Sequence, residues 1–328
     1  MNMERDFLAT VVFRVCFALI FAVEGTFAAI AGPAVVELPG PRAFPESITS
    51  TADGTRYVSS LASGGVLRIL PGATEAEPWI KPGAYDTRST FGVLADEASN
   101  TLWVCSNDAS ALGVPGPNSI KGSFVKGFDL KTGAGKFSAA LPGERTLCND
   151  IAIGPDRTLY VTNTFAPEIL RLPPGGERLE VWLTNPQFEP PKNGGGLDGI
   201  AFGSDGNIYV NTYTLGDLFR VDVKNGTPVS VAKLKTSRSL DQPDGLRPYD
   251  GKGFLMIEGG GSLDHVTVSG DSAAIETIRD GFLHPTGVTL DGNSAWVTEG
   301  QLSSLAYPNS GSPPRLPFRV YAVPLEQR

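Results

Sequence analysis

Two histidines and three cysteines in 328 residues leave little material for soft-metal or imidazole chemistry. No His or Cys cluster has the spacing of a dedicated zinc or copper site, and His265 and His284 alone severely restrict any Ser-His-Asp arrangement. The G-x-S-x-G elbow, the H-E-x-x-H helix and the Rossmann glycine fingerprint are all missing. Charge is also scarce, at 19% of residues with a formal net of −8. The absence of a basic cluster excludes nucleic acid as an expected partner. The N-terminal apolar run 15–23 has nine residues, where a membrane-spanning helix needs about 20.

That run follows Arg5 and Arg14 and precedes Ala29-Ile30-Ala31, which puts small residues at −3 and −1 before Gly32. It reads as a secretory signal peptide over 1–31, ahead of one domain over 32–328. Glu4, Asp6 and Arg14 are atypical there, and a retained anchor is the alternative. The expected location is secreted or periplasmic, with no membrane association once the leader is cleaved. Cys16 leaves with the leader, so Cys105 and Cys148 remain. Export permits a disulfide. A chain this long needs no staple, however, so two buried free thiols are expected and a disulfide is the alternative.

Glycine and proline are abundant, 39 and 26, without a short period, as in turn-rich β proteins. Six related segments recur: PESITSTADGTRYVSS from Pro45, TFGVLADEASNTLWVCS from Thr90, CNDIAIGPDRTLYVTN from Cys148, LDGIAFGSDGNIYVNT from Leu197, PDGLRPYDGKGFLMIE from Pro243 and PTGVTLDGNSAWVTE from Pro285. A repeat of this length built from short strands predicts a β-propeller with four strands per blade. Third strands are expected at 66–70, 125–130, 169–172, 218–223, 265–268 and 318–323. Fourth strands are expected at 78–81, 136–141, 179–183, 229–234 and 274–279. The sixth blade has no fourth strand of its own, and segment 34–38 is expected to supply it, closing the ring and covering an edge. Asp53-Gly54, Asp205-Gly206 and Asp291-Gly292 read as turns between first and second strands. Trp103, Tyr160, Tyr209 and Trp296 recur in second strands and read as packing between blades.

The second residue of each repeat is Glu46, Thr90 or Phe91, Asn149, Asp198, Asp244 and Thr286. In a propeller the innermost strands line the channel, so this one position would gather residues from six blades at one rim. Glu46, Asn149, Asp198 and Asp244 would offer three carboxylates and an amide oxygen there. Hard oxygen donors of this kind suit Ca²⁺ and leave room for water or substrate. Without a cation the carboxylates would raise one another's pKa values. Phe91 and Thr286 would leave part of the wall apolar.

The motifs Pro45-Glu46-Ser47, Asn149-Asp150 and Pro243-Asp244-Gly245 resemble those of the regucalcin/gluconolactonase family, six-bladed propellers related more distantly to paraoxonases and diisopropylfluorophosphatase. The resemblance covers roughly 34–323. It implies a divalent cation, Ca²⁺ or else Mn²⁺, Mg²⁺ or Zn²⁺, held by Glu46, Asn149, the fourth-blade residue and Asp244. The family usually has Asn in the fourth blade, whereas this chain has Asp198. The added charge is expected to strengthen cation binding and to weaken the ion as an electrophile.

The resemblance also implies that Asp244 serves as both ligand and base. Asp150 is the second candidate base, or else a group that orients a ligand. His284, just before Pro285, is a candidate proton shuttle or substrate contact, or else a loop residue with a local hydrogen bond. His265, on a third strand away from the axis, is expected to be structural. The resulting expectation is a monomeric hydrolase of a small-molecule lactone or related ester. A non-catalytic ligand- or partner-binding propeller and a phosphotriester hydrolase are the alternatives. Loops 109–121 and 189–196 would set specificity, and they carry no readable chemistry.

Overall fold

The computed structural model describes residues 34–306, 308, 309 and 311–326. The expected leader lies outside them. Among the described residues no helix is long and apolar enough to cross a membrane.

The described residues form six sheets. The third is representative: Cys148–Ile153, Leu159–Asn163, Glu168–Leu172 and Glu180–Thr184 form an antiparallel meander in sequence order. The other first strands are Pro45–Ser50, Ser89–Asp96, Leu197–Phe202, Pro243–Tyr249 and Pro285–Asp291. Each first strand contacts those of the preceding and following sheets, and the sixth contacts the first. The sheets are therefore six blades around a channel, and the innermost strands form its wall. In blade 5 the outer strand Ser272–Arg279 gains a short parallel partner, Lys235–Thr236.

The ring closes as expected. Val35–Leu38 pairs antiparallel with Phe318–Pro324, with Val36 opposite Val320 and Leu38 opposite Phe318, and becomes the outer strand of blade 6. Both faces of a blade pack against neighbours, so apolar residues fill the spaces between blades instead of one central core. The second-strand aromatics lie in these spaces. Tyr160 meets Phe202 between blades 3 and 4 at 5.3 Å between ring centroids, and Tyr209 meets Phe254 between blades 4 and 5 at 4.7 Å. At the seam between blades 6 and 1, the Arg56 guanidinium stacks 3.6 Å over Trp296 and pairs with Asp291 at 2.9 Å. His265 packs edge-on against Tyr249 on the third strand of blade 5.

The expectation of free thiols is overturned, because Cys105 and Cys148 form a disulfide. Cys105 is on the second strand of blade 2 and Cys148 opens the first strand of blade 3. Their Cα atoms lie 5.2 Å apart, within the range a disulfide bridges. At the next interface Thr162, the counterpart of Cys105, makes a hydrogen bond instead, donating from Oγ1 to the carbonyl of Asp198, one residue past the counterpart of Cys148. The bridge thus replaces a polar contact between blades. Chain length, which argued against a staple for the whole domain, has no bearing on one interface.

Candidate functional site at the channel mouth

All six innermost strands shift register against their second strands at the same place. The breaks fall between Pro45 and Ile48, Thr90 and Val93, Cys148 and Ile151, Leu197 and Ile200, Pro243 and Leu246, and Pro285 and Val288. Two residues per blade are thereby released from the ladder, as in a β-bulge. The first of them is Glu46, Phe91, Asn149, Asp198, Asp244 or Thr286, so Phe91, not Thr90, is the second-blade equivalent. The second is Ser47, Gly92, Asp150, Gly199, Gly245 or Gly287. Glycine is required where a blade presses on the next: a Cβ on Gly92 would stand 2.2 Å from the Asn149 carbonyl oxygen, and one on Gly199 2.3 Å from that of Asp244. The bulge aims the first residue of the pair along the channel, and the packing of the second fixes how far it reaches.

Glu46, Asn149, Asp198 and Asp244 come together on the floor of one cavity of about 1090 Å³. All four are buried, with 5–6% of their surface exposed. Asn149 Nδ2 donates to Asp198 Oδ2 and to Thr164 Oγ1, both at 3.0 Å, and Thr164 Oγ1 donates to the Leu197 carbonyl at 2.7 Å. Asp198 and Asp244 share a hydrogen bond. Burial, and then mutual repulsion with Asp150, pushes the Asp198 carboxyl up to about 7. Glu46 and Asp244 are raised well above the usual carboxylate range, first by burial and then by the charge of Asp198. Glu46 Oε2 is buried and meets no hydrogen-bond donor.

Asp150, the candidate second base, is buried and held in an ion pair. Arg247 grips both of its oxygens, Nη1 to Oδ2 at 2.6 Å and Nη2 to Oδ1 at 3.0 Å, and the Ile200 amide donates to Oδ2 at 3.2 Å. Arg247 Nη2 also reaches Ser47 Oγ at 3.5 Å, so one guanidinium from blade 5 links blades 1 and 3 across the channel. Four carboxylates therefore face one permanent cation. The sequence reading missed Arg247. The signal was present, because at the fifth place of the repeat the other copies have Thr49, Leu94, Ala152, Ala201 and Thr289.

His284 reaches the cavity through Tyr213, also missed, whose hydroxyl lies 2.8 Å from His284 Nε2 and whose ring lines the wall. Burial lowers the His284 pKa, which favours the neutral ring. Burial first, then the charges of Asp244 and Asp198, raises that of the Tyr213 phenol. His284 has φ of 47°, and Phe44 and Gln242, which likewise precede a first-strand proline, have φ of 38° and 56°. Blades 1, 5 and 6 thus share a left-handed residue, costly for a side chain with a Cβ, at the entry to the channel.

Both expected specificity loops border the cavity, through Ala111 and Leu112 and through the run from Glu189 to Gly195. Buried Arg88 braces the first loop, donating from Nη1 to the Ile120 carbonyl at 2.6 Å and from Nη2 to Ser110 Oγ at 3.0 Å, and pairing with Asp108 at 2.8 Å.

Among the described residues no three His, Cys, Asp or Glu side chains stand as a ready-made metal cluster. Asn149 instead donates to Asp198 across the floor, and Glu46 Oε2 is left without a donor. Even so, the donor set fits a hard cation. Its donors are carboxylate and amide oxygens, its negative charge exceeds what Arg247 neutralises, and one buried oxygen has no donor.

No family model matches the chain. A curated relative, core trichothecene cluster protein 14 of Fusarium sporotrichioides, is 34% identical over 102 residues. That stretch is 29% of this chain and only 26% of the relative's length. Among solved structures, the allergen Mala s 1 of Malassezia sympodialis superposes with a TM-score of 0.68 at 15% identity, covering 89% of this chain and 96% of that one. A gluconolactonase from Xanthomonas campestris gives 0.63 at 16%, covering 89% of both chains. A luciferin-regenerating enzyme gives 0.63 at 12%, covering 89% and 94%. The fold of this chain is the six-bladed propeller that gluconolactonase and the luciferin-regenerating enzyme share.

Proposed function

We propose that this chain is a metal-dependent hydrolase of lactones or related esters, related to the gluconolactonase-like propellers that its motifs resemble. One observation carries the reading: the first bulge residue of four blades delivers Glu46, Asn149, Asp198 and Asp244 to one cavity floor, buried and with charge in excess. These four would hold the cation, and calcium suits an all-oxygen set best. A bound divalent cation polarises a carbonyl oxygen and stabilises the negative charge that develops on it.

The chain's own groups do the rest. Asp244, in its ionised form, accepts the proton of the water that adds to the carbonyl carbon. The carbon–oxygen bond of the ring then breaks, and the departing alkoxide takes back from Asp244 the proton it accepted, becoming the hydroxyl of the product hydroxy acid and restoring the carboxylate. Arg247 holds Asp150 away from this exchange and keeps its charge beneath the floor. Tyr213, its hydroxyl engaged by His284, presents its ring to the substrate side of the wall. The Cys105–Cys148 bridge supports an exported location, where thiols oxidise and persist as disulfides.

A second reading, a propeller that holds ligand without catalysis, is favoured by the hydrogen bond by which Asn149 occupies an Asp198 oxygen. Lactone hydrolysis assayed with EDTA and after Ca²⁺ or Mn²⁺ add-back separates the two. The expected result is activity lost to chelation and restored by the metal, with Asp244→Asn lowering kcat on the order of 10²–10⁴-fold. Calcium binding by calorimetry with no ester hydrolysed would favour the second reading. A preference for phosphotriesters over lactones would keep the site and change the substrate.

A further inference from the structure

Above the carboxylate floor, one side of the cavity wall is apolar. Leu61, Phe91 and Leu147 line the cavity and belong to the core cluster that joins blades 6, 1, 2 and 3; Phe165, Leu302 and Leu305 line it too and pack against that cluster. These six side chains form a fixed apolar wall continuous with the core. Of the charged lining residues above the floor, Glu144, Arg145, Glu189 and Lys192 are exposed and sit on the outer rim, and Asp108 is half-buried. At about 1090 Å³ the cavity slightly exceeds the range that encloses drug-sized ligands, roughly 300–1,000 Å³. A single sugar ring would leave much of it empty, and any hydroxyl turned to the leucine and phenylalanine side, away from Ser123, Thr146, Thr164, Asn193 and Tyr213, would have no partner.

We infer that the substrate is a lactone or cyclic ester bearing an extended apolar substituent. The reacting carbonyl meets the floor, and the substituent runs along the wall of Phe91, Leu147, Phe165, Leu302 and Leu305. This rests on the hydrolase reading for the reacting group and on the wall alone for the substituent, so the two are tested apart.

The test uses δ-lactones that differ only in alkyl chain, from methyl to heptyl, with gluconolactone as the polar comparison. Each is assayed for kcat/KM, and binding of the matching non-hydrolysable alkyl lactams is measured by calorimetry. Burial of each added methylene is expected to raise kcat/KM and lactam affinity about fourfold until the wall is filled. Leu305→Ser and Leu302→Ser, both at partly exposed positions, are expected to flatten that dependence. A series flat in both measurements, or gluconolactone preferred over every alkyl lactone, overturns the inference. Chain-length-dependent lactam binding without hydrolysis of any lactone supports the apolar ligand class and removes the hydrolase reading. Cation-dependent hydrolysis of gluconolactone with a flat lactam series does the reverse.

Discussion

Arg247 sets how much negative charge the channel tolerates. Its two bonds to Asp150 are buried, and truncating one partner of a buried ion pair leaves the other charge uncompensated. Arg247→Met should therefore cost about 3–5 kcal/mol in urea unfolding. Arg247→Lys should recover only part of this, since an ammonium cannot reproduce the two-pronged contact. The carboxyls above it follow the opposite sign from a surface acid. Asp198 titrates at about 7 in the fold against an ordinary 3.8, so without a cation the folded state holds a proton that the unfolded chain has released. Its contribution to stability is full below pH 4 and is lost as pH rises through 7. A cation that replaces those protons reverses the trend, so calcium should raise Tm more at pH 8 than at pH 5. Equal shifts at both pH values in thermal melts would mean that the ion binds elsewhere.

The blade was the most legible element, and the contacts between blades were the least. Third and fourth strands fall within a few residues of their expected places, and the edge-closing strand Val35–Leu38 is where segment 34–38 put it. Alternating apolar residues and Asx-Gly turns determine these locally. The shared bulge was legible only as an alignment, which is why Thr90 and Phe91 could not be separated until the register break assigned Phe91. Tyr213, Arg247 and the disulfide act between residues that no local pattern connects. Cys105 occupies a strand position where its counterparts are Ser59, Thr162 and Asn211, and nothing near it in sequence points to Cys148. The bridge spans 43 residues, and loop-closure entropy assigns it about 4 kcal/mol. Cys105→Ser combined with Cys148→Ser should lower the unfolding free energy by roughly that amount. A loss under about 1 kcal/mol would mean that interface packing, not the bridge, holds blades 2 and 3 together.

At the scale of the molecule, the seam between blades 6 and 1 combines the Arg56–Asp291 pair, the stack on Trp296 and the strand Val35–Leu38. Removing residues 32–38 would bare the edge of Phe318–Pro324, and an unpaired edge recruits other chains. The shortened protein should melt at a lower temperature and form oligomers visible by size-exclusion chromatography with light scattering; an unchanged monomer would show that the strand is dispensable. The same pairing also constrains the timing of synthesis. Val35–Leu38 is made among the first blade-forming segments, yet its partner is made last, so for most of translation the nascent chain carries a finished strand with nowhere to dock. The channel can seal only after Phe318–Pro324 has left the ribosome. A truncated translation product would contain all four floor residues and still lack the closed ring that holds them at one mouth.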